Sequence, residues 1–406
     1  MAPDPFEDAI VAEVEEREAA LLDLCRALVE APSVSPPGDT RAVAAVVADA
    51  LRALGHDPEV IARDATKPSV LAASGEGRPH LVLNVHLDTM PPGDVGAWSV
   101  DPFRLTERDG RLYGLGMGNM KGAVAAMVLA FDLLAERAAE IPGRVTFSAV
   151  ADEVMFGPDG AAWLLESRPG DLVGDGLLCG EGPGFMRVAV GEKGVAWYRL
   201  EADGPAGHSS RARTGASAIA KIAAAVLEID AANGREGAFP DGLRGIPTEG
   251  DPGATLAANV GTIEGGTVES QLPTSATATA DLRLPPGIGL DDADALIAAA
   301  CEPRGVRWVR VKGWDPNWTD LEAPLTRAIT GAVRSVRGTP AVPAIRVPAS
   351  DASRWRALGV PSICFGPQPT YAAGVDDYAE RVDVVDCAKI YALTAVRFLR
   401  GADSER

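Results

Sequence analysis

Three short, largely apolar runs, Leu81–Val85, Val145–Val150 and Leu177–Cys179, are separated by stretches long enough to hold a helix, one of which begins near Lys121. Runs without polar alternation belong to strands that face water on neither side, so their sheet needs a layer on each face. Helices that carry the chain back to the same edge leave such strands parallel. The first part of the chain is therefore constrained to an α/β architecture, a mostly parallel sheet sandwiched by helices. Helical periodicity at residues 10 to 30 and 40 to 55 supplies covering elements.

From Gly191-Glu192-Lys193-Gly194 onward the pattern changes. A strand at Val195–Glu201, a helix at Ser217–Asp230 and a strand at Leu256–Ile263 lead into Ala276–Leu284, which alternates small or apolar with polar residues at period two. Alternation means one buried and one wet face, as in a small antiparallel sheet with helices on one side. After Trp314 the earlier pattern returns, with a strand at Ser362–Phe365 and a final helix at Val384–Leu399. The expected layout is a catalytic domain in two parts, residues 1–191 and 313–406, interrupted by an α+β domain at 192–312.

The formal net charge of −19 excludes one class of partner. Nucleic-acid binding relies on Lys and Arg displacing counterions from phosphates, and the sequence has no basic stripe, so neither nucleic acid nor an anionic membrane is expected. Met1 to Leu21 is acidic and has no basic stretch leading into an apolar one. No apolar run approaches the ~20 residues of a bilayer span, so a cytoplasmic protein is expected. Cys25, Cys179, Cys301, Cys364 and Cys387 are odd in number, widely spaced and mostly in apolar context, the pattern of buried free thiols.

The chemistry-bearing residues follow the apolar runs. His86 and Asp88 come after Leu81–Val85, Asp152-Glu153-Val154 after Val145–Val150, and Glu181 after Leu177–Cys179, with Gly114–Gly122 carrying Asn119 between them. Ligands of open α/β sheets bind at the carboxyl ends of strands, which places Glu153 for function. Burial beside Val154 would raise its pKa and suit it to proton transfer near neutrality. The inserted domain carries Gly207-His208-Ser209-Ser210, Thr214–Ile219, Asn259, Gly265-Gly266 and Asp281-Leu282-Arg283. The last part carries Ser350-Asp351-Ala352 and Gly366-Pro367.

Together these motifs resemble the two-zinc peptidase family of aminoacylases, acetylornithine deacetylases, succinyl-diaminopimelate desuccinylases and glutamate carboxypeptidases, over roughly residues 15 to 400. The resemblance implies that the insert is a lid and dimerisation domain, hence a homodimer. It implies that His86 and Glu181 face one zinc, that the positions of Val154 and Ala373 face a second, and that the position of Asn119 bridges them. Asp88 would orient the His86 ring, and Glu153 would carry the catalytic proton. His208 would reach a neighbouring subunit's site and stabilise the carbonyl oxygen as charge develops. Asn259 and Arg283 would bind a substrate carboxylate, and Ser350 would line the substrate from the closing segment.

This chain departs from the family where the metals matter. The family has Asp at the position of Asn119, Glu at Val154 and His at Ala373; it also has Gly at Phe156. Two tightly held zinc ions are not expected from a set that offers no lone pair at Val154 or Ala373 and no charge at Asn119. The resulting expectation is an enzyme without a cofactor. In it Glu153, His86 with Asp88, and His208 move protons and stabilise an oxyanion, while Asn119 and Tyr371 contact the substrate. That substrate is a small amide, ester or carboxylate-bearing amino-acid derivative, and the chemistry is acyl transfer, hydrolysis of an activated bond, elimination or cyclisation. Two alternatives stay open: a single-metal deacylase with one weakly bound zinc at His86, Asn119 and Glu181, and a catalytically silent small-molecule-binding protein.

Overall fold

The computed structural model describes residues 4–369 and 374–401. It divides into two compact units, Met1–Val190 with Trp318–Ala344 and Ser350–Arg406, and Gly191–Asn317 with Ile345–Ala349. The second unit extends past residue 312 because strand Val306–Trp314 belongs to its sheet.

In the first unit, strand His80–His86 is buried at every position and pairs in parallel with Arg144–Val150 on one side and Gly176–Cys179 on the other. Ser362–Cys364 continues the parallel core beside Gly176–Cys179. Antiparallel pairing continues the sheet on both sides: Ser69–Gly75 and then Glu59–Ile61 at one edge, and on the other side Arg187–Glu192, which Asn317–Trp318 follows in the strand order. Unbroken burial along the central strands reflects two covered faces. Val82 and Leu177 pack with Leu164, Leu172 and Trp355 from the short helices on one face. Their strand neighbours point the opposite way, toward helices Gly122–Glu136 and Arg381–Leu399, which also pack on each other.

Two local expectations change. The helical pattern at residues 10 to 30 is split into Pro5–Glu16 and Glu18–Glu30 at Arg17, whose guanidinium pairs with Asp132 at 2.6 Å and Glu136 at 2.9 Å. The stretch Met117–Glu136 is long and apolar enough to cross a membrane, contrary to the sequence expectation, but 94% of it is buried inside the protein, the condition of a core helix. All five cysteines are free and buried.

The second unit is a four-stranded antiparallel sheet in the order Ala257–Gly265, Ser275–Leu284, Gly194–Asp203, Val306–Trp314. Along Ser275–Leu284 the residues alternate in burial, and Ala276, Ala278, Ala280, Leu282 and Leu284 enter a core shared with helices Ala218–Asp230 and Leu290–Cys301. The period of two leaves Thr277, Thr279, Asp281 and Arg283 on the other face. Ser217 caps the first helix, its hydroxyl accepting the N–H of Ala220 at 3.2 Å.

Candidate active site

Parallel pairing brings neighbouring strand ends to one edge of the first unit's sheet. His86 lies opposite Val150, and Asn84 opposite Cys179. The residues that follow, Asp88, Glu153 and Glu181, therefore emerge together at the carboxyl ends of three strands. All are buried.

His86 Nε2 lies 3.6 Å from Glu181 Oε1 and 3.7 Å from Glu153 Oε2. Its Nδ1 lies 2.9 Å from the carbonyl oxygen of Asp88. A carbonyl only accepts, so Nδ1 carries the proton and donates it, and the Nε2 lone pair faces the two carboxylates. That Nε2 is buried and has no hydrogen-bond partner. A lone pair held against two anions calls for a cation between them, either a proton or a metal. Burial disfavours the imidazolium, but Glu153 and Glu181 outweigh it and push the His86 pKa up to about 10. Glu153 is raised well above the usual carboxylate range, first by burial and then by Glu181.

The donor set fits a divalent cation. Metal–N and metal–O distances of about 2.0–2.2 Å in a tetrahedral array put neighbouring donors roughly 3.4 Å apart, close to the 3.6 and 3.7 Å found around Nε2. Ligand atoms of His86, Glu153 and Glu181 all lie within 4.8 Å of one another. The expectation of a site without a cofactor was wrong: it weighed the ligands lost, whereas a buried His/Glu/Glu triad remains.

The expected roles of Asp88 and Asn119 also change. The Asp88 carboxylate accepts the N–H of Glu153 at 3.1 Å and of Val154 at 3.0 Å, while its Oδ1 is 3.7 Å from His86 Nδ1. Its carbonyl orients the ring, and its carboxylate fixes the turn that bears Glu153. Asn119 was expected to contact the substrate and, in the single-metal alternative, to offer a metal its amide oxygen. Instead the Gly182 N–H donates to Gln368 Oε1, Gln368 Nε2 donates to Asn119 Oδ1, and Asn119 Nδ2 is left to donate to Glu181 Oε1 at 3.3 Å. The backbone N–H can only donate, so it sets the sense of both amides. Asn119 turns its N–H toward Glu181, and its Oδ1 is engaged by Gln368.

The sequence reading missed three residues that hold the Glu153 loop and its surroundings: Gln368, Lys67 and Arg354. Only the short step from Gly366-Pro367 to Gln368 gave any signal. Glu153 lies between Asp152 at φ 61° and Phe156 at φ 51°, conformations costly for residues with a side chain. Lys67 pairs with Asp152 at 2.8 Å. The Arg354 guanidinium sits 4.2 Å from the Phe156 ring centre, donates to Gly157 O at 3.2 Å and pairs with Asp351 at 3.3 Å. Asp351 has a buried Oδ2 without a hydrogen-bond partner, and burial pushes its pKa to about 6 against the pull of Arg354. Ser350 is fully buried, its hydroxyl 3.3 Å from Cys364 Sγ and accepting the Ala352 N–H at 3.2 Å. Tyr371 and Ala373 lie outside the described residues.

The remaining expected residues belong to the second unit. His208 is exposed, and its Nδ1 accepts the Ser210 N–H at 3.2 Å, which leaves Nε2 as the outward N–H donor of the neutral ring. Asn259 is exposed on the edge strand opposite Asp281. Arg283 is already engaged, pairing with Asp281 at 2.9 Å through two of its nitrogens.

A parallel-core α/β sheet with a buried His/Glu/Glu set at its strand ends defines a hydrolase-like enzyme of the metallopeptidase kind. The chain belongs to peptidase family M20/M25/M40, whose profile matches residues 82–397. It is 29% identical to the acetylornithine deacetylase of Pectobacterium carotovorum over 329 residues, 78% of this chain and 82% of that one. It is 27% identical to the succinyl-diaminopimelate desuccinylase of Xylella fastidiosa over 390 residues, 93% of this chain and 98% of that one. Among solved structures, an M20 family metallo-carboxypeptidase from Sulfolobus solfataricus superposes with a TM-score of 0.74 at 17% identity, covering 94% of this chain and 99% of that one. The Bacillus subtilis YXEP protein, described as a dinuclear metal-binding peptidase, superposes at 0.68 with 15% identity, covering 95% and 99%.

Proposed function

We propose that this chain is a single-cation amidohydrolase that cleaves the amide of a small, carboxylate-bearing amino-acid derivative. The observation that carries this is the His86 Nε2 lone pair, buried without a hydrogen-bond partner 3.6–3.7 Å from two carboxylates. A divalent cation held by His86 and Glu181 would supply Lewis-acid polarisation of the scissile carbonyl. Val154 offers no donor, and Asn119 turns a hydrogen inward where the family has a bridging acid, so one cation is the capacity of the site.

In this reading Glu153 takes a proton from the attacking water and returns it to the leaving nitrogen. Burial and Glu181 keep its pKa high, which lets it hold that proton near neutrality. Asp88 fixes the backbone of Glu153 and Val154, and Asn119 steadies the Glu181 carboxylate. In the homodimer of this reading, His208 of a neighbouring subunit would serve as the donor to a developing oxyanion. The similar enzymes named for removing acetyl and succinyl groups support an acyl-amide substrate. A homodimer through the second unit accompanies this reading, supported by exposed Ile219 and Leu227 on helix Ala218–Asp230 and exposed Ile263 on the edge strand.

The test is a zinc titration of chelator-treated, dialysed protein, followed by assay on a panel of N-acyl amino acids. One equivalent of zinc, lost in His86→Ala, together with amide cleavage is expected. Two tight equivalents, or none, would overturn the reading.

A further inference from the structure

Lys67 lies in the connection between strands Glu59–Ile61 and Ser69–Gly75, outside every motif that marked the site. The connection is stiff. Asp64 Oδ1 accepts the N–H and the hydroxyl of Thr66, both at 2.9 Å, and the Lys67 N–H donates to Asp64 O at 2.8 Å. Buried Thr40 grips the residues on either side of Lys67: its N–H donates to Thr66 O at 2.9 Å and its hydroxyl to Pro68 O at 2.8 Å. From this fixed backbone the ammonium reaches the loop bearing Glu153 at two points, Asp152 Oδ1 at 2.8 Å and Asp159 Oδ2 at 3.3 Å. Two residues further on, the Ser69 hydroxyl accepts the Ala151 N–H at 3.0 Å. These contacts hold both feet of the loop.

Asp152 is where this grip meets the chemistry. It directly precedes Glu153, and its carboxylate is folded under the turn: Oδ2 accepts the Asp159 N–H at 3.1 Å, and a Cβ at Gly157 would lie 1.9 Å from that same oxygen. Its carbonyl accepts the Gly157 N–H at 2.9 Å, which closes the turn with Asp152 at φ 61°. A buried carboxylate without a counter-ion is strongly unfavourable, and this turn already holds Asp88 and Glu153 as buried acids. Lys67 supplies the opposite charge. Its bond to Asp152 raises the Lys67 pKa above the usual value, so the ammonium persists across neutral pH. An exposed pair would be screened by water and contribute little, but here the two side chains are only 18% and 3% exposed.

We infer that Lys67 is a positioning residue for Glu153: its ammonium holds Asp152 in the left-handed conformation and so sets where the Glu153 carboxyl meets the attacking water. The inference rests on the reading of Glu153 as the proton carrier. Without Lys67 the Asp152 carboxylate turns outward to water, the turn relaxes, and the Glu153 N–H loses its alignment on Asp88. A displacement of about 1 Å at a reacting group costs on the order of 10²-fold in rate. The partners of Lys67 are Asp152 and Asp159, not the cation donors His86 and Glu181, so its removal acts on rate and leaves cation and substrate affinity in place.

The experiment compares full-length wild type with Lys67→Met, Lys67→Gln and Lys67→Arg in two arms. In the first, hydrogen exchange of the metal-free proteins is read by mass spectrometry. Exchange over residues 151–157 speeds up about tenfold or more in Lys67→Met and Lys67→Gln, while the strand segments 80–86 and 144–150 exchange as in wild type, which separates a loosened loop from a lost fold. In the second, zinc-loaded enzyme turns over the N-acyl amino acid it cleaves best. In the same two variants kcat falls about 30- to 100-fold, with KM and zinc affinity within about threefold of wild type, and Lys67→Arg recovers most of the loss. Placed in Glu153→Gln, Lys67→Met lowers the residual rate by less than about threefold, because it acts through the group already removed. Unchanged exchange at 151–157, a KM that rises as kcat falls, or an undiminished Lys67→Met effect in Glu153→Gln would overturn the inference. The exchange arm needs neither cation nor substrate, so its failure is distinct from failure of the zinc titration or of the substrate panel.

Discussion

Asn119→Asp restores the acid that the resembled family has at this position, and its effect has opposite signs with and without metal. Asn119 Nδ2 donates to Glu181 Oε1 at 3.3 Å. In the Asp variant that donor becomes a carboxylate oxygen facing another. At 3.3 Å, two unit charges in a protein environment of effective dielectric ~20 repel by about 5 kcal/mol. Uptake of a proton by one of them limits the loss to about 2–3 kcal/mol near neutrality. Gln368 Nε2 can still donate to the new carboxylate, so the Gly182–Gln368 arm survives. The metal-free variant should therefore melt several degrees below wild type. Zinc should reverse the order, because the added charge strengthens a cation site by at least as much as it destabilises an empty one, a gain of about 100-fold or more in affinity. Differential scanning calorimetry with and without zinc, with calorimetric titration for affinity, measures both limbs. If the metal-free variant melts with wild type and binds zinc no more tightly, Asn119 does not face Glu181 as a donor, and the orientation argued from the Gly182 N–H fails.

Glu153→Gln should lower turnover by roughly 10²–10⁴-fold while the fold is kept, since it removes a proton acceptor and little volume; wild-type rates would move the proton chemistry elsewhere. Arg354→Met removes the stack on Phe156, the bond to Gly157 O and the pair with Asp351, so kcat should fall about tenfold with KM little changed; equal changes in both would point to a role in binding. Lys121 is buried, reaches the Ala31 carbonyl at 3.2 Å, and has a pKa lowered by burial to about 7 against the pull of Asp377. Between about pH 7 and 10.5 the unfolded chain then binds more protons than the folded one, so stability from this group rises with pH, by at most about 1.4 kcal/mol per unit. Lys121→Met should flatten that rise and be more stable near pH 7; parallel urea-denaturation curves for the two proteins across pH would refute it.

What the sequence determined by itself is what local pattern can carry. Unbroken apolar runs at Leu81–Val85 and Val145–Val150 required a sheet covered on both faces, and the alternation of Ala276–Leu284 required a sheet with one wet face. Because parallel strands end together, His86, Glu153 and Glu181, each just past such a run, were legible as one cluster. Substitution was legible too, in Val154 and Asn119, but its consequence was not. Counting lost ligands led to a site without a cofactor, whereas the fold leaves the His86 lone pair pressed between two carboxylates at 3.6–3.7 Å. Which way Asn119 turns depends on Gln368 and on the Gly182 N–H, far apart in the chain. That Asp152 has a counter-ion depends on Lys67, 85 residues earlier in the chain. The sense of a hydrogen bond and the presence of a counter-ion belong to partners remote in sequence, so only the tertiary structure decides them.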